Sequence, residues 1–259
     1  MKPYNGKMKQ KSSAWKVFAL LLALFIVQEA FAQHTAAASG GTVLIFSPHP
    51  DDGDIFAGGS TLVHVNELGD MVVEVYMTSG DAGEDATREG RTGQELAAAR
   101  EAEAEKAAHM LGISEVIFLR FPDRGLTRNE TSLWAVRDIV ERYQPYMVYT
   151  SEYINAQYHH PDHLATGLIV HDAVESLNLR EKPIIRYFDY WVNPDNANVF
   201  VDVTGHLVAK RRALMCYETQ LDIDIMQPAL PLLRLRAIYA GYALLAGMPG
   251  RFFEGFRQD

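Results

Sequence analysis

The sequence predicts an α/β fold: a single domain with a Rossmann-like, mostly parallel sheet flanked by helices. Two observations carry that prediction. Strand-like apolar runs alternate with helix-like segments along the chain, the pattern of βαβ units. Two polar His/Asp clusters then fall just beyond two of the strand-like runs. Sites in open parallel sheets form there, beyond the carboxyl ends of the strands.

The first 32 residues stand outside this fold. Five lysines (Lys2, Lys7, Lys9, Lys11 and Lys16) precede an apolar run from Val17 to Val27, and Ala30-Phe-Ala32 follows. A basic segment, a short apolar segment and an A-x-A site make a secretory signal peptide. Cleavage is expected after Ala32, giving an exported protein, periplasmic or secreted. The 11-residue apolar run is too short for a bilayer core of about 30 Å, so no stable membrane anchor is expected. Residues 33–41 read as a flexible lead-in, and 42–259 as the domain.

Without the five leader lysines and Glu29, the 24 basic and 33 acidic residues become 19 and 32, a balance of −13. Nucleic acid is therefore not an expected partner, because its binding depends on clustered Lys and Arg. Cys216 is the only cysteine, so no intramolecular disulfide can form and the fold rests on its core. The length suits one sizeable domain.

The candidate strands are Thr42–Ser47, Met71–Thr78, Glu115–Arg120, Tyr146–Thr150, Ile184–Trp191 and Val199–Val203. Helical segments are expected at about 55–68, 92–111, 131–143 and 162–178. The segment from Gln94 to Leu111 is the clearest: rich in Ala, Glu and Leu, with Gly112 as a stop signal. Residues 79–93 form a long polar loop on the same sheet edge as the His clusters, either a substrate rim or a solvated connection. The apolar stretch Leu230–Ala246 reads as a packing helix.

The chemistry concentrates in two places. Ser47-Pro-His-Pro-Asp-Asp52 ends the first strand, and His160-Pro-Asp-His163 follows the fourth. Catalytic zinc sites use three His or carboxylate ligands and leave a position for water. His49, Asp52 and His163 supply that count. Zn²⁺ is the expected cofactor, although an N/O set also accommodates other divalent metals. Asp51 is then a natural general base, and His160 a hydrogen-bond donor to an oxyanion or an acid for the leaving group. Asp162 can orient an imidazole. The plainer reading makes these residues helix caps, but it does not explain why two unrelated segments carry nearly the same polar set.

These motifs carry a resemblance. His49-Pro-Asp-Asp52 followed by Gly58-Gly59-Ser60, with His160-Pro-Asp-His163 later, resembles the paired signatures of the PIG-L/LmbE-like zinc de-N-acetylases. Arg100-Glu-Ala-Glu103 is similar to the family's R-x-x-E helix, and Phe121-Pro-Asp-Arg-Gly-Leu126 to its post-strand turn. Lys210 through Gln220 resembles its K…SQ helix, and Phe253-Glu-Gly-Phe256 its A-E-x-F. The resemblance implies zinc on His49, Asp52 and His163, Asp51 as base, and His160 tuned by Asp162. It also implies substrate contacts from Arg100 and Tyr158. For Arg100 the competing reading is an exposed helix arginine paired with Glu103; for Tyr158 it is loop packing. One departure stands out, because Gly53 occupies the place where the family often carries Glu.

The function expected is removal of an acetyl group from an N-acetylglucosamine-type sugar or glycoconjugate, a small-molecule or glycan substrate. The alternatives are a zinc amidase for another small amide and a non-catalytic carbohydrate-binding protein. The sequence leaves the oligomeric state unknown.

Overall fold

The computed structural model describes residues 40–154, 156, 159–188, 197–220 and 251–258. The expected signal peptide, Tyr158 and the helix expected over Leu230–Ala246 lie outside the described residues, as does the end of the fifth predicted strand. Among the described residues, seven strands form one sheet. They are β1 (Thr42–Ser47), β2 (Met71–Thr78), β3 (Glu115–Phe121), β4 (Met147–Ser151), β5 (Ile184–Phe188), β6 (Val199–Asp202) and β7 (Phe253–Gln258). Their order is β3-β2-β1-β4-β5-β7-β6. The pairings β1–β2, β1–β4, β2–β3 and β4–β5 are parallel, whereas β7 runs antiparallel to both β5 and β6. The sheet is thus mostly parallel, as the strand–helix alternation predicts.

Helices cover both faces. On one side, α3 (Glu130–Tyr143) and α4 (Pro161–Ser176) pack Leu133, Val136, Ile169 and Val170 against Leu44, Phe46, Val73 and Val148 of the strands. On the other lie α1 (Asp52–Val63), α2 (Gly93–Leu111) and α5 (Leu207–Leu214). There Val43, Ile45 and Val72 meet Ala57, while Tyr76 joins Ala104, Ala107 and Leu214. Successive side chains of a strand point to opposite faces, so Val43 and Leu44 serve different layers. A strand buried on both sides reads as a continuous apolar run, which is why Val43 to Phe46 show no alternation.

Local chemistry sets the element ends. Asn129 caps α3: its side chain accepts from the Thr131 and Ser132 amides, at 2.9 and 3.1 Å, and Ser132 Oγ accepts from the Asn129 amide at 3.0 Å. Helix α1 begins at Asp52, three residues before the predicted start, its first turn closed by the Ile55 amide donating to the Asp51 carbonyl at 2.8 Å; the chain continues from it as a π-helix over His64–Leu68. The strand character of Phe253–Gln258 is not anticipated by the sequence reading. The segment holds a glycine and two charges in six residues and gains its regularity from the two neighbours it pairs with.

Candidate metal and active centre

Strand order reverses between β1 and β4, since the chain winds outward from β1 through β2 to β3 and then returns to the other side of β1. The carboxyl ends of such a pair diverge and open a crevice. Both His clusters project there. The turn after β1 is fixed from β2: the Thr78 amide and Thr78 Oγ1 each donate to the Pro48 carbonyl at 3.0 Å. After β4 the chain enters α4 with Pro161 in its first turn and His160 as cap, the His160 Nδ1 accepting from the Asp162 amide at 3.3 Å.

Asp52 Oδ2 is the meeting point. It lies 3.1 Å from His49 Nδ1 and 3.2 Å from His163 Nε2, and one ligand atom of each residue falls within 4.8 Å of the others. Bonds of about 2.0–2.2 Å in a tetrahedral zinc site place ligand atoms about 3.3–3.6 Å apart. Both carboxylate–imidazole distances are nearly at that spacing, the set is largely buried, and two imidazole nitrogens with one carboxylate oxygen suit a divalent ion. In a second triplet, His49, His160 and Asp162, one ligand atom of each also falls within 4.8 Å of the others. Its carboxylate is already engaged, because Asp162 accepts from the Arg124 amide at 2.6 Å and the Leu126 amide at 3.1 Å. The donor set with the freer carboxylate is the first.

Electrostatics divides the neighbouring acids. Burial would raise the Asp52 carboxyl, but His163 and His49 outweigh it and hold the group far below the usual carboxylate range. Asp51 moves the other way: burial and the adjacent Asp52 push it well above that range, against the pull of His49 and Arg100. Its backbone adopts φ 119° and ψ −35°, a region L-residues rarely visit, and strain of this kind clusters at functional sites. Burial would lower His49, yet its bonds to Asp123, Asp162 and Asp52 carry it well above the ordinary histidine value. His160 is held below that value by burial and then by His49 and His163.

The predicted residues come together with differences of detail. His49, Asp51, Asp52, His160, Asp162 and His163 all stand at the crevice. Asp162 lies nearer His49 Nε2, at 3.3 Å, than His160 Nδ1, at 3.9 Å. Arg100 is buried, and its guanidinium donates to the carbonyls of Gly80 (2.8 Å) and Glu84 (3.0 Å). Glu103 instead accepts from the Thr219 amide and hydroxyl at 2.9 and 2.7 Å, so the exposed Arg100–Glu103 pair is not what forms. Gly80, at φ +68°, lets the loop lie on that guanidinium, where a Cβ would come within 2.3 Å of it. The loop over 79–93 is therefore an ordered rim, tied down by Arg100 and joined to the centre through Asp123.

Asp123 is a site residue the sequence reading missed. Its Oδ1 lies 3.2 Å from His49 Nε2, and its Oδ2 accepts from the Ala82 amide at 2.9 Å. The signal was present in the Phe121–Leu126 turn, read there only as a turn. A second unanticipated layer lies beneath: Tyr217 donates to Asp54 Oδ2 at 2.6 Å, and Ser47 Oγ to Glu74 Oε1 at 2.9 Å. Burial raises Asp54 to about 7, and burial with the Asp54 charge raises Glu74 well above the carboxylate range.

Comparison with known proteins bears on this centre. The family model described as GlcNAc-PI de-N-acetylase (PIG-L) matches residues 44–174, which include both His clusters. A diacetylchitobiose deacetylase of Thermococcus kodakarensis is 29% identical over 228 residues, 83% of this chain and 82% of the relative. A probable N-acetyl-alpha-D-glucosaminyl L-malate deacetylase 2 of Bacillus anthracis is 30% identical over 199 residues, 71% of this chain and 84% of its own. The solved structure of N,N'-diacetylchitobiose deacetylase from Pyrococcus horikoshii, in complex with its inhibitor MPG, superposes with a TM-score of 0.74. It is 26% identical, and the match covers 97% of this chain and 95% of that one. With the paired motifs converging on one centre in a matching fold, the chain belongs to the PIG-L family of de-N-acetylases.

Proposed function

We propose that this protein is a zinc-dependent hydrolase that removes the acetyl group from an N-acetylglucosamine-type sugar or glycoconjugate. The observation that carries the reading is Asp52 Oδ2, poised 3.1 Å from His49 Nδ1 and 3.2 Å from His163 Nε2, with the elevated Asp51 carboxyl next in sequence. The relatives, named for deacetylation of diacetylchitobiose and of an N-acetylglucosaminyl malate, supply the substrate class.

His49, Asp52 and His163 would hold the ion. A bound zinc supplies an acidified water and a Lewis acid for the amide carbonyl. Asp51 is placed to take the proton lost as water adds, and a carboxyl raised above its ordinary value by burial and the Asp52 charge suits proton transfer in both directions. Asp162 donates its backbone N–H to His160 Nδ1, which leaves the proton of the neutral ring on Nε2. That N–H is a donor for the oxyanion that develops on the carbonyl. Collapse breaks the C–N bond, the amine leaves with a proton, and acetate and a free amino sugar result. Asp123 and Asp162 hold the His49 ring from its Nε2 side, as carboxylates commonly do for a ligating imidazole.

Acetate release from N-acetylglucosamine, N,N'-diacetylchitobiose and a set of non-sugar acetamides, with and without chelator, tests the reading. Release from the sugars that stops on chelation and returns with Zn²⁺ is expected. Release only from the non-sugar amides would replace the substrate class, and sugar binding without release would replace the enzyme with a binding protein. Full turnover by the metal-free protein would remove the ion from the mechanism.

A further inference from the structure

Glu74 is an acid in the middle of β2, a strand whose next four residues are also buried, and it is itself 0% exposed. Ser47 Oγ donates to its Oε1 at 2.9 Å and the Tyr76 hydroxyl also favours its charged form, but Oε2 has no hydrogen-bond partner among the described residues and burial outweighs both contacts. Burying a carboxyl so poorly compensated is costly, and valine, which stands on either side of it in this strand, would avoid the cost. Departures from local rules of this kind mark places where function sets the sequence.

The position explains what the acid does. A Cβ built at residue 53 would lie 2.2 Å from Glu74 Oε1 and 2.3 Å from Ser47 Oγ. The first turn of α1 thus sits so close on the sheet that the Glu74 carboxyl fills the space of the side chain residue 53 lacks. Ser47 is two residues before His49, and Gly53 directly follows Asp52. Glu74 therefore touches both ends of the turn that carries His49, Asp51 and Asp52.

We propose that Glu74 is a positioning residue for this centre: its carboxyl, seated in the space of a side chain at position 53, sets the end of β1 against the first turn of α1 and so the spacing of His49 and Asp52. This role rests on the metal-site reading above, and zinc affinity is its primary measure, independent of turnover. In the full chain, Glu74→Gln keeps an acceptor for Ser47 at equal size, whereas Glu74→Leu keeps the size alone. Partners that support metal ligands are worth about 10–100-fold in affinity or activity.

Competition with a chromophoric chelator should show zinc affinity within about threefold of the parent for Glu74→Gln and weakened about tenfold or more for Glu74→Leu. The kcat should fall in parallel for Glu74→Leu, with KM nearly unchanged. Gly53→Ala, driven against the carboxyl, should weaken zinc as well. Gly53→Glu combined with Glu74→Ala should regain most of the affinity, and Gly53→Ala with Glu74→Ala should not. Equal affinity in the Gln and Leu variants, or equal recovery in the two double variants, would overturn the role, since volume alone would then suffice. A parent without zinc affinity would sink the metal reading itself, whereas parental affinity and kcat in Glu74→Leu would sink only the part given to Glu74.

Discussion

Asp51 and Asp52 share a backbone turn and experience opposite fields: two imidazoles flank Asp52, whereas Asp51 has the Asp52 charge beside it and little water. The two should respond differently to substitution. Asp51→Asn should retain the ion and the fold while kcat falls at least ~10²-fold, the usual scale for a positioned acid or base. His163→Ala should lose metal affinity, and His160→Ala should keep metal and lose rate. Metal content by atomic absorption, set against turnover, separates these outcomes. An Asp51→Asn protein that empties of metal, or that turns over normally, would reverse the roles of base and ligand. At this scale the sequence was legible where partners are close along the chain. His49 and Asp52 are three residues apart after a strand, and His163 opens a helix after another. Asp123 and Glu74 were not legible, because their partners lie 74 and 27 residues away in sequence (His49 and Ser47) and only the folded sheet brings them together. A single acid among Val72, Val73 and Val75 reads simply as a strand residue.

Helix α1 carries the centre and is anchored from the far end of the sheet. Glu254 of β7 accepts from the Gly59 amide at 2.8 Å and from the Ser60 amide and hydroxyl at 2.6 Å each. Lys210 of α5, fully buried, donates to Glu254 Oε1 and to the Ile55 carbonyl, both at 2.6 Å. Removing one partner of a buried ion pair leaves an uncompensated charge, at a cost of about 3–5 kcal/mol. Lys210→Met should therefore lower unfolding stability by about that amount in urea titrations. A loss under about 1 kcal/mol would mean that the backbone donors of α1 suffice for Glu254. Most elements were legible because β1–β4 are apolar runs and α2 is a strong helix former. The seventh strand was not: pairing with β5 and β6, rather than its own composition, makes it regular.

For the whole molecule, the buried acids set a pH dependence. Asp54 is raised to about 7 and Glu74 well above its ordinary value, both chiefly by burial. The folded state then binds more protons than the unfolded one, so stability falls as pH rises from about 4 through the folded values. His49, raised by its carboxylates, adds a loss of the same sign. Asp52 and Asp123 are lowered, chiefly by His163 and His49 and by His49 respectively, against burial. Their contribution is lost only in acid, below about pH 4. His64 and His160, lowered by burial, oppose the trend below about pH 6.5. In the presence of chelator, the thermal midpoint should drop by several degrees between pH 5 and pH 8, and less in Glu74→Gln. A midpoint that rises over that interval would contradict the assigned shifts.

The place of β7 between β5 and β6 also orders events in time. A chain emerging from the ribosome exposes β6 and Lys210 well before the residues that complete them, since Lys210 and Glu254 are 44 residues apart. At about 5–20 residues per second, the anchor of α1 stays open for seconds after both His clusters have been translated. During that interval the parallel strands can pair while the helix beneath the His49–Asp52 turn lacks its carboxylate. The candidate crevice is thus assembled from the strands β1 to β4 and locked by the later segment around β7, so loss of the few residues around Glu254 would unfasten a centre that they do not line.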